Sequence, residues 1–243
     1  MLSHKVSGIF VGLWLLIAEH LRLGTWDVIK GWTHCSDHDI SPRVALQVVH
    51  ESALCVNGIR PCHTLGHQGF ELLNGLSYII SDEEIHKLLD QHTIPDAIQM
   101  QMNLGRLRLA NGHYEGKLLA IDPHRIVTYS KRVMPKKKKL PEEPSKKMLQ
   151  TFFCIDAKTG QPYGHLLGSS GFTATKAAID LLNLANQINP QSTVILADSE
   201  HFTDELLSFI NYHPKFDILI PVPYTDKVQK MVKSLTYKRM WAG

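Results

Sequence analysis

Two aspartates in the second half of the chain share one local setting. Asp122 closes the apolar run Leu118-Leu-Ala-Ile121, and Asp198 closes Thr193-Val-Ile-Leu-Ala197. Short apolar runs bounded by Gly116 and Pro123, or preceded by Asn189-Pro190, read as buried strands. The carboxyl end of a strand is where α/β sheets bind ligands. A carboxylate there is partly desolvated and needs a counter-charge. Clustered carboxylate oxygens suit a divalent cation such as Mg²⁺. A pair of such ions can activate an attacking oxygen and stabilise a leaving one in phosphodiester chemistry. The plainer alternative is that both aspartates end strands and cap the turns that follow, as Asp commonly does. Asp156 closes Thr151–Ile155 just before Ala157-Lys-Thr-Gly160 and is read as such a cap.

The elements that must position these residues follow from the pattern around them. Residues 1–115 read as a mainly α-helical region. Its helices are Val11–Leu23, Pro42–Val56 with Ser41 in front as N-cap, Gly66–Leu73, a helix opened by the capping box of Ser81 and Glu84, and Ile94–Ala110 stopped by Asn111-Gly112. Residues 116–243 change texture. Strands are expected over Lys117–Asp122, Arg125–Ser130, Thr151–Asp156, Ser192–Asp198 and Phe216–Pro221. Helices are expected over Thr173–Ile188, Thr203–Tyr212 with Thr203 as N-cap, and Thr225–Leu235. The order β-β-β-α-β-α-β-α predicts a mixed sheet with helices packed on it.

The totals exclude several other classes. The 243 residues are 44% hydrophobic and 20% charged, ordinary values for a chain with a packed core. Four cysteines (Cys35, Cys55, Cys62, Cys154) are too few for a disulfide scaffold and suit a reduced, cytoplasmic setting. The longest apolar run, Gly8–Ala18, is too short to span a bilayer, so no membrane role is expected. The groups His34/Cys35/His38 and Cys62/His63/His67 lack the paired spacing of a structural zinc site. No phosphate loop, nucleophile elbow or dinucleotide fingerprint is present.

The net charge of +3 is unevenly placed. Residues 1–120 carry −3, whereas residues 131–147 alone carry +6, all of the excess of the second half. Lys131, Arg132, Lys136, Lys137, Lys138, Lys139, Lys146 and Lys147 could follow a DNA backbone with salt-dependent affinity. A solvated loop is the alternative, since lysine runs with proline are common there.

Several segments together resemble bacterial insertion-sequence transposases with a DDE catalytic domain. They are Ala120-Ile-Asp-Pro-His-Arg-Ile126 with Tyr129-Ser-Lys-Arg132, Gln150-Thr-Phe-Phe-Cys-Ile-Asp156, and Leu196-Ala-Asp-Ser-Glu-His-Phe202. Leu21-Arg-Leu-Gly-Thr-Trp-Asp27 and Gly69-Phe-Glu-Leu-Leu-Asn-Gly75 extend the likeness into the helical half, so that it runs from about Leu13 to Pro223. The resemblance implies a ribonuclease-H-like fold, a two-metal site for Mg²⁺ or Mn²⁺, and DNA strand cleavage and transfer at transposon ends. It makes Asp122 and Asp198 the first two of three catalytic, metal-binding acids. It brings His124, Arg125, Glu200 and His201 forward as neighbours that orient a carboxylate or touch phosphate, although turn and surface roles remain open for these four. It implies transposon-end and target DNA as partners, with a homo-oligomer or a full-length transposase as protein partner. The pattern departs at the third acid, a glutamate on a helix after the fifth strand. No Asp or Glu follows Asp226, and Glu205 and Asp226 are the nearest substitutes. A C-terminally truncated copy is therefore expected, with a catalytically inactive, DNA-binding or regulatory remnant as the alternative. A different metal phosphoesterase using Glu205 is the third reading.

Overall fold

The computed structural model describes residues 10–54, 69–138, 142 and 144–234. The chain divides into two compact units, Met1–Gly112 and His113–Gly243.

The first unit is helical. Its helices are α1 (Val11–Leu23), α2 (Thr25–Trp32), α3 (Ser41–Ala53), α4 (Phe70–Leu73), α5 (Asp82–Asp90) and α6 (Ile94–Ala110). The capping signals act as their chemistry dictates. Ser81 accepts from the Glu84 N–H while the Glu84 carboxylate accepts from the Ser81 N–H, and Thr93 and Asp96 repeat the arrangement ahead of α6. Helix α3 begins one residue earlier than expected, so Ser41 is its first residue and Ile40 precedes it. Gly24, in the left-handed region at φ 77°, ends α1 and lets α2 start at once; that short helix was not anticipated. One core cluster joins Ile29, Val44, Leu46, Ile80, Ile85 and Leu88. The residues of the Cys62/His63/His67 group lie outside the described part of the chain.

The second unit is built on a five-stranded sheet: β1 (Leu118–Val127), β2 (Met148–Asp156), β3 (Pro162–Ser169), β4 (Thr193–Ala197) and β5 (Phe216–Leu219). The spatial order is β3-β2-β1-β4-β5. Strands β1, β2 and β3 pair antiparallel, whereas β4 runs parallel to both β1 and β5. Three hairpin-linked strands followed by parallel strands that alternate with helices make a ribonuclease-H-like mixed sheet, the expected fold class. Helices α7 (Ala174–Ile188), α8 (Asp204–Tyr212) and α9 (Asp226–Ser234) complete the unit. Alternation along the strands sends Leu119, Ile121, Phe152, Cys154 and Ile195 into a buried layer. Ala177, Ala178, Leu181 and Leu182 of α7 are buried as well, and α7 packs on β2 and β3.

Two strand expectations are corrected. Arg125–Ser130 is not a separate strand, because β1 runs through Pro123 to Val127 and pairs with β2 over that whole length. The proline is tolerated for a reason visible in the ladder. The Val194 N–H donates to the Lys117 carbonyl, so odd-numbered residues of β1 aim their backbone groups at β4. The β1–β4 pairing stops at Ile121, and the N–H that Pro123 lacks would fall on an unpaired edge. Conversely, Pro162–Ser169 is a full strand for which the sequence reading offers no element. Gly164 and Gly168 depress its local strand signal, and its register against β2 supplies what propensity does not.

Candidate two-aspartate centre and its surroundings

Asp122 does not end its strand, as the sequence suggested. It stands one residue past the end of the parallel ladder. The last matched pair of β1 and β4 is Ile121↔Ala197, and the constant register puts Asp122 and Asp198 at the next level of the two strands. Neighbouring strands lie about 4.8 Å apart, so the two backbones stand side by side at this level. Leu119 and Ile121 are buried, which by alternation sends the Asp122 side chain to the opposite, more open face, shared with its β2 partner Phe153. Both aspartates are exposed.

Their carboxylates differ in engagement. Among the described residues, no hydrogen bond or ion pair holds Asp122. Asp198 caps the short 3₁₀ turn Ser199–His201: its Oδ1 accepts the Glu200 N–H at 3.1 Å and lies 3.8 Å from His201 Nε2. The capping alternative is thus correct for Asp198, but it occupies one oxygen and leaves Oδ2 free to bind a ligand. Asp156 behaves fully as a cap. It is buried, with Oδ1 accepting the N–H groups of Lys158 and Thr159 and Oδ2 those of Glu115 and Gly116. Burial works against its charge, yet the four donors more than offset it and hold its pKa below the ordinary carboxylate range.

The four flanking candidates divide by contact. His201 is buried, and neither ring nitrogen has a hydrogen-bond partner among the described residues. Burial lowers its pKa, and the negative charges of Asp198, Glu200 and Asp122 pull it partly back. Arg125 forms an ion pair with Glu200 and donates from Nε to the Gln150 side chain. His124 is exposed on β1, opposite Thr151 of β2. Gln150 was not anticipated as a site residue. Its one signal in the sequence is an uncharged amide at a buried-phase position of a mostly apolar strand, where burial demands hydrogen bonds.

The basic segment extends the β1–β2 hairpin as an irregular ribbon. Lys137 and Lys146 exchange backbone hydrogen bonds at 2.8 Å, forming an isolated antiparallel bridge. Lys147 Nζ donates to the carbonyls of Ser130 and Arg132, so its ammonium braces the ribbon. Lys131, Arg132, Lys136, Lys138 and Lys146 are exposed, Lys137 is half-buried, and Lys139 lies outside the described residues. Glu205 and Asp226 sit in the first turns of α8 and α9. Among the described residues, no group of three or more His, Cys, Asp or Glu side chains is disposed around a metal position, and neither acid joins the two aspartates in one. That result also covers His34, Cys35 and His38. The two-carboxylate set still fits a Mg²⁺-class ion, which keeps several waters and binds through one or two carboxylates plus substrate phosphates. No helix among the described residues is long and apolar enough to cross a membrane.

No family model matches the sequence, and no curated protein matches it. Solved structures similar to the chain include transposase complexes, at low identity. The Mos1 transposase paired-end complex with left transposon end matches at 10% identity and a TM-score of 0.32, covering 76% of this chain and 60% of that one. The Mos1 strand transfer complex matches at 11% identity and 0.31, covering 82% and 66%. The piggyBac transposase synaptic complex with hairpin DNA matches at 13% and 0.39, covering 92% and 45%. The chain therefore spans about 60% of the length of the first Mos1 chain.

Proposed function

We propose that this chain is a transposase of the bacterial insertion-sequence type, acting in metal-dependent DNA strand cleavage and transfer. The observation that carries the reading is the register of Asp122 and Asp198, which stand at one level on adjacent parallel strands with carboxylate oxygens free for a cation. The resemblance of the segments around them supports the same assignment. A divalent ion bound there supplies electrophilic stabilisation of a phosphodiester undergoing displacement. The chain's own residues would bind that ion through Asp122 and Asp198, hold Asp198 Oδ1 in place through the Glu200 N–H, and line the buried side with the ring of His201. The exposed cations of the ribbon, Lys136 and Lys146 among them, meet the DNA backbone.

The test pairs metal binding with cleavage. Mn²⁺ titrated into the whole chain and followed by electron paramagnetic resonance is expected to bind, and Asp122→Asn and Asp198→Asn are each expected to abolish that binding. Supercoiled plasmid is expected to be nicked with Mn²⁺ and not with EDTA. Unchanged Mn²⁺ binding in both variants would refute the reading. A second reading, a DNA-binding regulator without cleavage of its own, is favoured by the lack of a third ligand beside the pair among the described residues. Metal and DNA binding without any nicking would select it.

A further inference from the structure

The two aspartates belong to different strands, and the sheet's own ladder between those strands ends one residue before them. Something else has to set the position of Asp198 relative to β1. A continuous chain of side-chain contacts crosses the gap on the side of β1 that faces Gln150. It starts in the turn between β3 and α7. The carbonyls of Ser169 and Phe172 accept from Gln150 Nε2 at 3.0 and 2.7 Å. Carbonyl oxygens can only accept, so the Gln150 amide has one allowed orientation, with Oε1 turned toward Arg125. Arg125 stands directly opposite Gln150 in the β1–β2 register, and its Nε donates to that oxygen at 3.3 Å. The far end of the guanidinium pairs with the Glu200 carboxylate, and the Glu200 backbone N–H donates to Asp198 Oδ1. Gln150 is fully buried, which makes an alternative partner for its amide costly. The first link has its own support in packing. Gly168, paired with Gln150, lies against Phe172 so closely that an added Cβ would come within 2.6 Å of its ring, and Phe172 meets Phe152 edge-on at 5.5 Å.

We propose that Gln150, Arg125 and Glu200 are positioning residues that hold the Asp198 carboxylate at the level of Asp122 and so prepare the pair for a divalent cation. The proposal rests on the two-aspartate metal reading above and adds the device that assembles it. Arg125 is three residues beyond Asp122, and Glu200 two beyond Asp198, so their ion pair ties together the chain just downstream of each acid. A cation placed near a metal site weakens metal binding by simple repulsion. Removing the Arg125 charge should therefore tighten Mn²⁺ binding if Arg125 is a bystander, and loosen it if Arg125 is a positioner. The two roles predict opposite signs.

Mn²⁺ affinity of the whole chain is measured by electron paramagnetic resonance for Arg125→Met, Gln150→Met, and the charge swap Arg125→Glu with Glu200→Arg, with far-UV circular dichroism on each. Outer-layer partners of metal ligands typically change affinity 10–100-fold. Arg125→Met and Gln150→Met are expected to weaken Mn²⁺ binding at least about 10-fold, and the swap to recover only part of the loss, because a carboxylate at position 125 restores the ion pair with position 200 but cannot donate to Gln150 Oε1. Arg125→Lys, which keeps the charge but not the fork, covers the case in which Arg125→Met does not fold, and is expected to weaken binding as well. Unchanged or tighter binding in Arg125→Met, or in Arg125→Lys if that is the folded variant, overturns the proposal while Asp122→Asn still abolishes binding. Unaltered binding in Asp122→Asn and Asp198→Asn removes the centre itself, a separate failure.

Discussion

The buried carboxylate of Asp156 is the firmest place to test the energetics of the sheet unit. Replacement by Asn preserves shape and one acceptor oxygen. It converts the other oxygen into an amide NH₂ that faces two backbone N–H groups. Two of the four bonds, at 2.7–3.0 Å, are therefore lost and two donor–donor contacts replace them. Hydrogen bonds to a charged group contribute about 1.5–3 kcal/mol each, so the expected loss is about 3–6 kcal/mol. That is a large part of the total stability of an ordinary domain. Hydrogen exchange of peptides covering β1 and β2, followed through a urea series, reads this loss. Because folding lowers the Asp156 pKa, its contribution is complete above the unfolded-state value of about 3.9 and fades as the pH falls through the lower folded value. The wild-type unit should lose protection in that acid window and Asp156→Asn should lack that component. A loss under about 1 kcal/mol in Asp156→Asn would refute the four-donor account.

Other outcomes follow from the same structure. Gly116 has φ 72°, and an added Cβ would overlap the side-chain amides of Gln191 and Asn189, so Gly116→Ala should cost about 2–4 kcal/mol by the same exchange measurement. The Lys147 ammonium is spent on two carbonyls, so Lys147→Ala should leave the salt slope of DNA binding unchanged, while Lys136→Ala and Lys146→Ala each reduce it by about 0.9; fluorescence anisotropy against salt reads both. The His20 and His50 rings lie 5.5 Å apart, tilted by 35°, in the helical unit, and burial lowers both pKa values. The unfolded state then binds more protons, so stability is fully present above about pH 6.5 and erodes as the pH falls below it; tryptophan fluorescence should show this, and His20→Phe should flatten the dependence.

Much of the framework was legible from local chemistry. The capping box at Ser81 and the N-cap at Thr203 work because side chain and backbone partner are three residues apart. Helices over Ile94–Ala110 and Ala174–Ile188 follow their periodic apolar residues, and Val11–Leu23 follows its continuous apolar run. Strand β3 was not legible, because its glycines carry no strand preference and its existence depends on pairing with β2. The continuation of β1 through Pro123 was hidden for a related reason: a proline stops a strand only where its missing N–H is wanted, and the sequence does not say which edge is empty.

The sequence by itself determined the residue types at the centre and the apolar runs that carry them to the sheet. It also determined that the spacing of 76 residues between Asp122 and Asp198 had to be closed by tertiary pairing. Only the tertiary structure decided that this spacing is the register of β1 against β4, which turns two separate acids into a pair at one level. It also decided that Gln150 stands opposite Arg125, whose ion-pair partner Glu200 lies two residues beyond Asp198. A buried glutamine in a strand becomes meaningful only when the strand across from it presents an arginine and the next turn presents two carbonyls. Those partners come from 19 to 25 residues away along the chain. Their meeting is set by the sheet's long-range order, which no local propensity encodes.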